Sequence, residues 1–475
     1  MEGKTAPTEL GTLSISKLLR MYAVPGIIAM TASSLYNIVD SIYIGHIRDV
    51  GAYAISGLAV TFPLMNLSAA LGTLVGVGAM TLISVMLGRK DYEKARKILS
   101  NVLSLNLIIG IVFSIASLLF LDKILLFFGA SENTLPFARD YMIIILAGNA
   151  LTHLYFGFNG IIRVAGHPKT AMGLTLFTVI SNAILDPIFI FGLDLGIQGG
   201  AIATVICQLM ALTYSLKFLS NKEMVLHFPK PLFQLDWKIA KQSLAIGLGP
   251  FLMNSAACIV AIFINQQLKK YGGDLAIGAY GIINRITMIF FMVCMGFNQG
   301  LQPIAGFNYG ARLYSRVKEV FFLTVKWETL IMSACWVLSM AIPGLVIRLF
   351  TSDPTLIELS TKGMRVMNSA IFVVGFGMVS GNMFQCLGMV GKSIFLSLSR
   401  QLLFLVPMIY LLPLWLQEKG VWISFPLSDL VSTIIAFFMI RDLMKKLGAL
   451  KDGEDPLTLG STIEQDDRRR DIDDL

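Results

Sequence analysis

Apolar stretches of about 20 to 30 residues recur along this 475-residue chain, separated by short polar breaks. About 20 apolar residues in a helix are enough to cross the hydrocarbon core of a bilayer. Strands that span an outer membrane are shorter and alternate in polarity; these stretches do neither, which argues against a membrane β-barrel. Reading run by run gives twelve candidate helices, near 17–45, 53–87, 98–121, 134–164, 169–193, 197–219, 242–268, 275–308, 317–349, 355–387, 392–416 and 420–444. Several exceed the bilayer thickness and must tilt, kink or project beyond it. The expected class is an all-α polytopic membrane protein. Composition agrees, since only 14% of residues are charged, against roughly 25% in a soluble domain.

The charges sort by loop. Arg89, Lys90, Lys94, Arg96 and Lys97 follow span two, and Lys217, Lys222, Lys230, Lys238 and Lys241 follow span six. Arg312, Arg316 and Lys318 follow span eight, and Lys445 and Lys446 follow span twelve. Alternate loops hold only scattered positives such as Arg48, Lys123, Lys269, Lys270, Arg348 and Lys419. Cytoplasmic loops carry the excess of Lys and Arg, so both termini are expected in the cytoplasm, with the chain multi-pass in the plasma (inner) membrane. The same rule accounts for the net charge of +8 without any nucleic-acid partner. The five cysteines fall in apolar segments without metal or redox spacing, and read as small core residues. The N-terminal 20 residues are polar, and the run after them is too long for a signal-peptide core. The polar C-terminal segment from Lys451 lacks aromatics and is expected to be disordered.

The two halves resemble one another. "RMYAVPGIIAMTASSLYNIVDSIYIG" aligns with "LAIGLGPFLMNSAACIVAIFINQQLK", which sets Pro25 on Pro250 and Asp40 on Asn265. Gly72 and Gly76 fall on Gly296 and Gly300, and Pro187 on Pro407. Six spans per half return the chain to the side it started from. The repeats are then parallel, two six-helix bundles related by a pseudo-two-fold axis along the membrane normal. The expected division is a cytoplasmic N-terminus 1–15, an amino-terminal lobe 16–220, a cytoplasmic linker 221–241, a carboxy-terminal lobe 242–448 and a tail 449–475. Two matching bundles around a cleft suit alternating access.

An acid at the bilayer centre costs about 2.5–3.5 kcal/mol on insertion scales and needs compensation. Span one carries Ser33, Asn37 and Asp40 on one face, with Tyr36 a turn before Asp40 and in reach of it. Span five carries Asn182 and Asp186 four residues apart, followed by Pro187. That proline cannot donate to the Ala183 carbonyl, which is left free to line a polar cavity. Span six adds Thr204 and span four adds Asn159. Carboxylate, amide and hydroxyl oxygens from Asp40, Asn182, Asp186 and Thr204 suit a hard cation such as Na⁺. The same acids can instead carry protons, because desolvation disfavours the charged form and a bound cation favours it. The plainer reading pairs Asp40 with a membrane base such as Arg285 and makes Asp186 a kink device beside Pro187. Arg285 and Lys326 otherwise read as snorkelling or salt-bridged residues. Met and Phe are abundant, and either line an adaptable drug cavity or face lipid. His153 and His167 lack metal-ligand spacing, and "GTLVGVGAM" lacks the ending of a phosphate loop.

Together "SLYNIVDSIYIG", "SNAILDPIFIFGLDLGIQGGAIATVI" and "LQPIAGFNYGA" resemble the multidrug and toxic compound extrusion (MATE) family, over about residues 15–448. Gly200 stands where that family often has alanine. The resemblance implies an antiporter, not an enzyme, that expels cationic or amphipathic organic compounds against H⁺ or Na⁺ influx and needs no cofactor. It implies small-molecule substrates, a bilayer and no nucleic acid; a monomer is expected. In the subgroup typified by DNA-damage-inducible members, the amino-lobe site maps here onto Asp40, Asn182, Asp186 and Thr204, with Asn159 near them. A substrate cavity is expected beside Tyr36, Asn37, Ser33 and Met65. Another subgroup uses acids in spans seven and ten, and here both are acid-free at depth. The competing functions are a lipid-linked saccharide flippase of the same superfamily and a receptor or scaffold without transport. A flippase of that kind often has extra spans and a basic cavity.

Overall fold

The structure is a computed structural model that describes residues 7–47, 50–454 and 463. The side chain of Asn37 and the residue Arg48 lie outside the described residues, as do most of the terminal segments expected at 1–15 and 449–475. The described residues form no β-strand. Eleven helices are long and apolar enough to cross a membrane, or twelve with the bent pair Pro354–Met367 and Ile371–Cys386 counted as one span. We label them α1 (Ile15–Gly45), α2 (Gly51–Gly88), α3 (Tyr92–Leu119), α4 (Leu135–Val164), α5 (Pro168–Pro187) and α6 (Gly196–Leu219). The second series is α7 (Trp237–Gly273), α8 (Leu275–Gly310), α9 (Tyr314–Ala341), α10 (the bent pair), α11 (Val390–Leu416) and α12 (Glu418–Ala449).

The ends follow from local chemistry. Asp91 caps α3 by accepting the Lys94 N–H at 3.0 Å, and Asp353 caps α10 by accepting those of Thr355 and Leu356. Gly273, at φ 71°, separates α7 from α8. Pro187 closes α5, and the chain continues as a π-helical turn, Ile188–Gly192. In the repeat-equivalent α11 a π segment, Ser399–Leu405, precedes Pro407. The spans carry exposed apolar side chains such as Ile111, Val112, Ile115, Ile180 and Ile184. In a membrane such side chains meet lipid.

The chain divides into two compact units. One holds Ile28–Phe251, with the residues up to Thr12; the other holds Leu13–Ile27 and Leu252 onward. The first turns of α1 therefore belong to the second unit, and those of α7 to the first. Both divisions fall just past the repeat-matched prolines, Pro25 and Pro250. Glycines permit the close approach: a Cβ on Gly300 would meet Ala23 N at 2.8 Å in the second unit. A Cβ on Gly247 would collide with the Leu74 carbonyl in the first.

The segment expected as a linker is bound along α3. Arg96 Nε donates to Val225 O (2.9 Å), Ser100 Oγ to Leu232 O (3.0 Å) and Ser104 Oγ to Gln234 O (3.2 Å). Asn101 Oδ1 accepts the Asp236 N–H at 3.1 Å. The side chains at 96, 100 and 104 are one turn apart, so one helix face reads an extended chain. The tail also differs from expectation near its start. Asp452 Oδ1 accepts the Ser315 N–H (3.0 Å), Tyr314 Oη donates to Glu454 O (2.8 Å), and Gly453 N to Arg312 O (2.9 Å).

Candidate functional site

The first unit gathers polar side chains from α1, α5 and α6 inside apolar helices. Asp40 is 6% exposed and Asp186 fully buried, so neither faces lipid. Tyr36 Oη and Thr204 Oγ1 share a hydrogen bond of 2.9 Å, and Asn182 Nδ2 donates to the same Thr204 oxygen at 3.3 Å. Tyr36 thus reaches across to α6 and does not bond Asp40 along its own helix. Gly200, one turn before Thr204, lies close enough that an added Cβ would sit 3.4 Å from Asp40 Oδ1. Both carboxylates act electrostatically on Tyr36 and on the buried Tyr141 of α4. Four of the five residues expected to couple ions therefore meet in one place.

The site is rich in acceptors and poor in donors. Asp40 Oδ1, Asn182 Oδ1 and both oxygens of Asp186 are buried and accept no hydrogen bond. Neither acid has an ion pair among the described residues, and Arg285, the base considered for Asp40, is exposed. The two like charges repel, and burial penalises both. Such a site is stabilised by a species that brings positive charge: protons on the carboxyls, or a cation held by these oxygens. No cluster of three or more His, Cys, Asp or Glu side chains fit for a metal occurs among the described residues. A cation here would depend on the amide and hydroxyl oxygens of Asn182 and Thr204, which suit Na⁺.

The remaining expected residues spread out. Asn159 Nδ2 donates to Thr175 at 2.9 Å, two turns before Asn182, and no hydrogen bond joins it to Thr204. Met65 is partly buried against the apolar core of this unit and accepts from Thr61 Oγ1 at 3.5 Å. Ser33 is half-buried on α1. His153 joins a separate network, its Nε2 3.1 Å from Ser68 Oγ, which also donates to Asn149. The five cysteines form no disulfide, and four of them, all but Cys258, are buried. Lys326 is exposed.

The second unit holds acids that the sequence reading passed over. Spans α7 and α10 carry none at depth, as expected. But Glu328 of α9 is fully buried, and Asp429 of α12, 4% exposed, pairs with Arg400 at 2.6 Å. Both sit within long apolar runs. The signal that marks Asp40 and Asp186, an acid inside an apolar run, marks them equally.

Comparison with known proteins agrees with this architecture. The MatE family matches residues 25–188 and 246–411. The multidrug export protein MepA of Staphylococcus haemolyticus is 27% identical over 434 residues, covering 91% of this chain and 95% of its own length. A solved structure of MATE in the bent conformation superposes with a TM-score of 0.88 at 26% identity, covering 94% of this chain and 98% of its own. An outward-facing multidrug resistance MATE family transporter of the MOP superfamily gives 0.86 at 25% identity, covering 95% and 99%.

Proposed function

Because the chain belongs to the MatE family, whose members are transporters and not enzymes, we propose that it is a secondary multidrug exporter. In this reading it exchanges inward H⁺ or Na⁺ for outward movement of cationic or amphipathic organic compounds. The observation that carries the reading is the pair of buried, unpaired carboxylates, Asp40 and Asp186, beside orphaned acceptor oxygens. An acid kept without a counter-charge at membrane depth is costly, and most such groups serve ion or proton movement. Asp40, Asn182, Asp186 and Thr204 form the coupling site, with Asn159 in its outer wall. Tyr36, Ser33, Asn37 and Met65 contribute to the substrate cavity.

Loading the site neutralises charge and favours a closed, dry arrangement; unloading restores charge and favours a wet one. Alternation between these two states moves substrate one way and the ion the other. The basic loops support an orientation with both termini cytoplasmic in the plasma membrane. The amino-lobe acids support the subgroup typified by DNA-damage-inducible members, and the chain acts as a monomer.

The test is transport in proteoliposomes under separate Na⁺ and pH gradients, with ethidium as substrate. One gradient is expected to drive ethidium movement, and Asp186→Asn to abolish it while the protein still inserts. Full gradient-driven exchange by Asp40→Asn/Asp186→Asn would overturn the reading.

A further inference from the structure

The second unit contains a carboxyl group that the transport reading does not use. Glu328 is fully buried, and both its oxygens lack a hydrogen-bond partner. It belongs to one face of α9, where Thr324, Glu328, Cys335 and Ser339 are all fully buried. The spacing of four, seven and four residues keeps them in one stripe. That stripe ends at a polar knot: Asn368 Nδ2 donates to Ser339 Oγ (2.9 Å) and to Thr287 Oγ1 (3.2 Å). Asn368 lies at the break of α10, where the two parts bend by 48°. The part after the break packs against Glu328 so closely that a Cβ on Gly375 would lie 2.9 Å from the Glu328 carbonyl. A buried acid, a polar stripe and a broken helix thus coincide.

We propose that Glu328 is a proton-binding site of the second unit, loaded and unloaded as the break in α10 opens and closes its stripe to water. The ligand is a proton and not a metal cation: the Thr324 hydroxyl donates to the Val320 carbonyl (2.8 Å), the titratable neighbours are thiols, and no group of three or more His, Cys, Asp or Glu fit for a metal occurs among the described residues. Cys294 of α8 is the titratable group that faces it, with Cys335 of α9 beside Cys294. No cation reaches it among the described residues. Lys326 and Arg285 are exposed, Lys362 of α10 pairs with Glu358, and Arg400 of α11 pairs with Asp429 of α12. Ionised in this state, Glu328 would be an uncompensated buried charge, a highly unfavourable arrangement. Its proton can leave only in a conformation that admits water to the stripe. The site is separate from Asp40 and Asp186 and stands whether or not those residues couple ions.

Infrared difference spectra of the purified full-length protein in lipid, taken between acidic and alkaline pH, test this. The band of protonated carboxyl groups that disappears on alkalinisation is expected to lose one component in Glu328→Gln. That component is expected to persist in Asp40→Asn/Asp186→Asn, whose own loss reports separately on the first-unit site. In Glu328→Asp it should remain but move its midpoint, which keeps the test open if the glutamine variant does not fold. A Glu328→Gln spectrum that superposes on the native one, or an aspartate variant with no displacement, would show that the proton never leaves and overturn the proposal.

Discussion

Thr204 is the residue on which the first-unit site converges. Its oxygen meets both Tyr36 Oη and Asn182 Nδ2, so Thr204→Val takes a partner from the half-buried Tyr36 hydroxyl and from the buried Asn182 amide at once. An unsatisfied buried donor costs about 1–3 kcal/mol. Thermal unfolding in detergent should show a lowered midpoint for the valine variant, with Thr204→Ser close to native. Gly200 gives the opposite expectation. Its missing Cβ has room, 3.4 Å from Asp40 Oδ1 and 3.6 Å from Ile44 Cδ1. Gly200→Ala should therefore retain transport and gain up to about 0.5–1 kcal/mol of helix stability. A clear fall in either would mean that the site needs that space. Asp40, Asn182, Asp186 and Thr204 were legible in the sequence because a polar residue in an apolar run stands out. What they touch was not: Tyr36 bonds a residue 168 positions away, and no periodicity carries that information.

At the scale of elements, the repeat explains one unusual contact. Asp91 caps α3 from within its own loop, but its repeat-equivalent before α9 is Leu313, which has no capping group. The C-terminal segment supplies the missing carboxylate through Asp452. Burial pushes the Asp452 carboxyl up, and hydrogen bonds from the Ser315 hydroxyl and amide more than offset this, holding it below the usual range. A depressed carboxylate stabilises the docked segment above its undocked pKa, and the stabilisation is lost as pH falls through the docked value. Docking should thus persist down to about pH 4, where an unpaired Asp titrates, and fade below it. Hydrogen exchange at the Ser315 amide reads this directly. Asp452→Ala should speed that exchange by about two- to five-fold, because an exposed cap lies at the low end of roughly 0.5–2 kcal/mol. Among the helices, long apolar runs made the spans legible. The break in α10 was not, since residues 364–373 contain neither proline nor glycine. It is held by Asn368 reaching Thr287 and Ser339, which are contacts between helices. Helix α3 also starts six residues before the expected residue 98, because Tyr92–Lys97 is a polar helical stretch that looks like loop.

For the whole molecule, the boundary of the sequence repeat and the boundary of the compact units do not coincide. The repeat divides the chain near residues 221–241, yet the units exchange helix starts: Leu13–Ile27 of α1 joins the second and the α7 residues up to Phe251 join the first. Gly78 and Gly247 have no side chain because the start of α7 lies directly on α2, against Ser243 and Leu74. A fragment ending at Asn221 consequently loses both the strap that α3 holds by hydrogen bonds and the helix that covers Gly78. The complementary fragment loses Leu13–Ile27, and with it Ala23, against which Gly300 packs. Each half made alone should aggregate or be degraded, since each exposes a helix face shaped for close contact. Made together as two chains cut between Asn221 and Lys222, both exposed, the halves should co-purify and recover transport. Gly247→Ala in the second chain should weaken that recovery, because its Cβ collides with backbone and overpacking costs about 1–3 kcal/mol. Independent folding of either half, measured as a monodisperse species in detergent, would contradict the exchange of helix starts between the units.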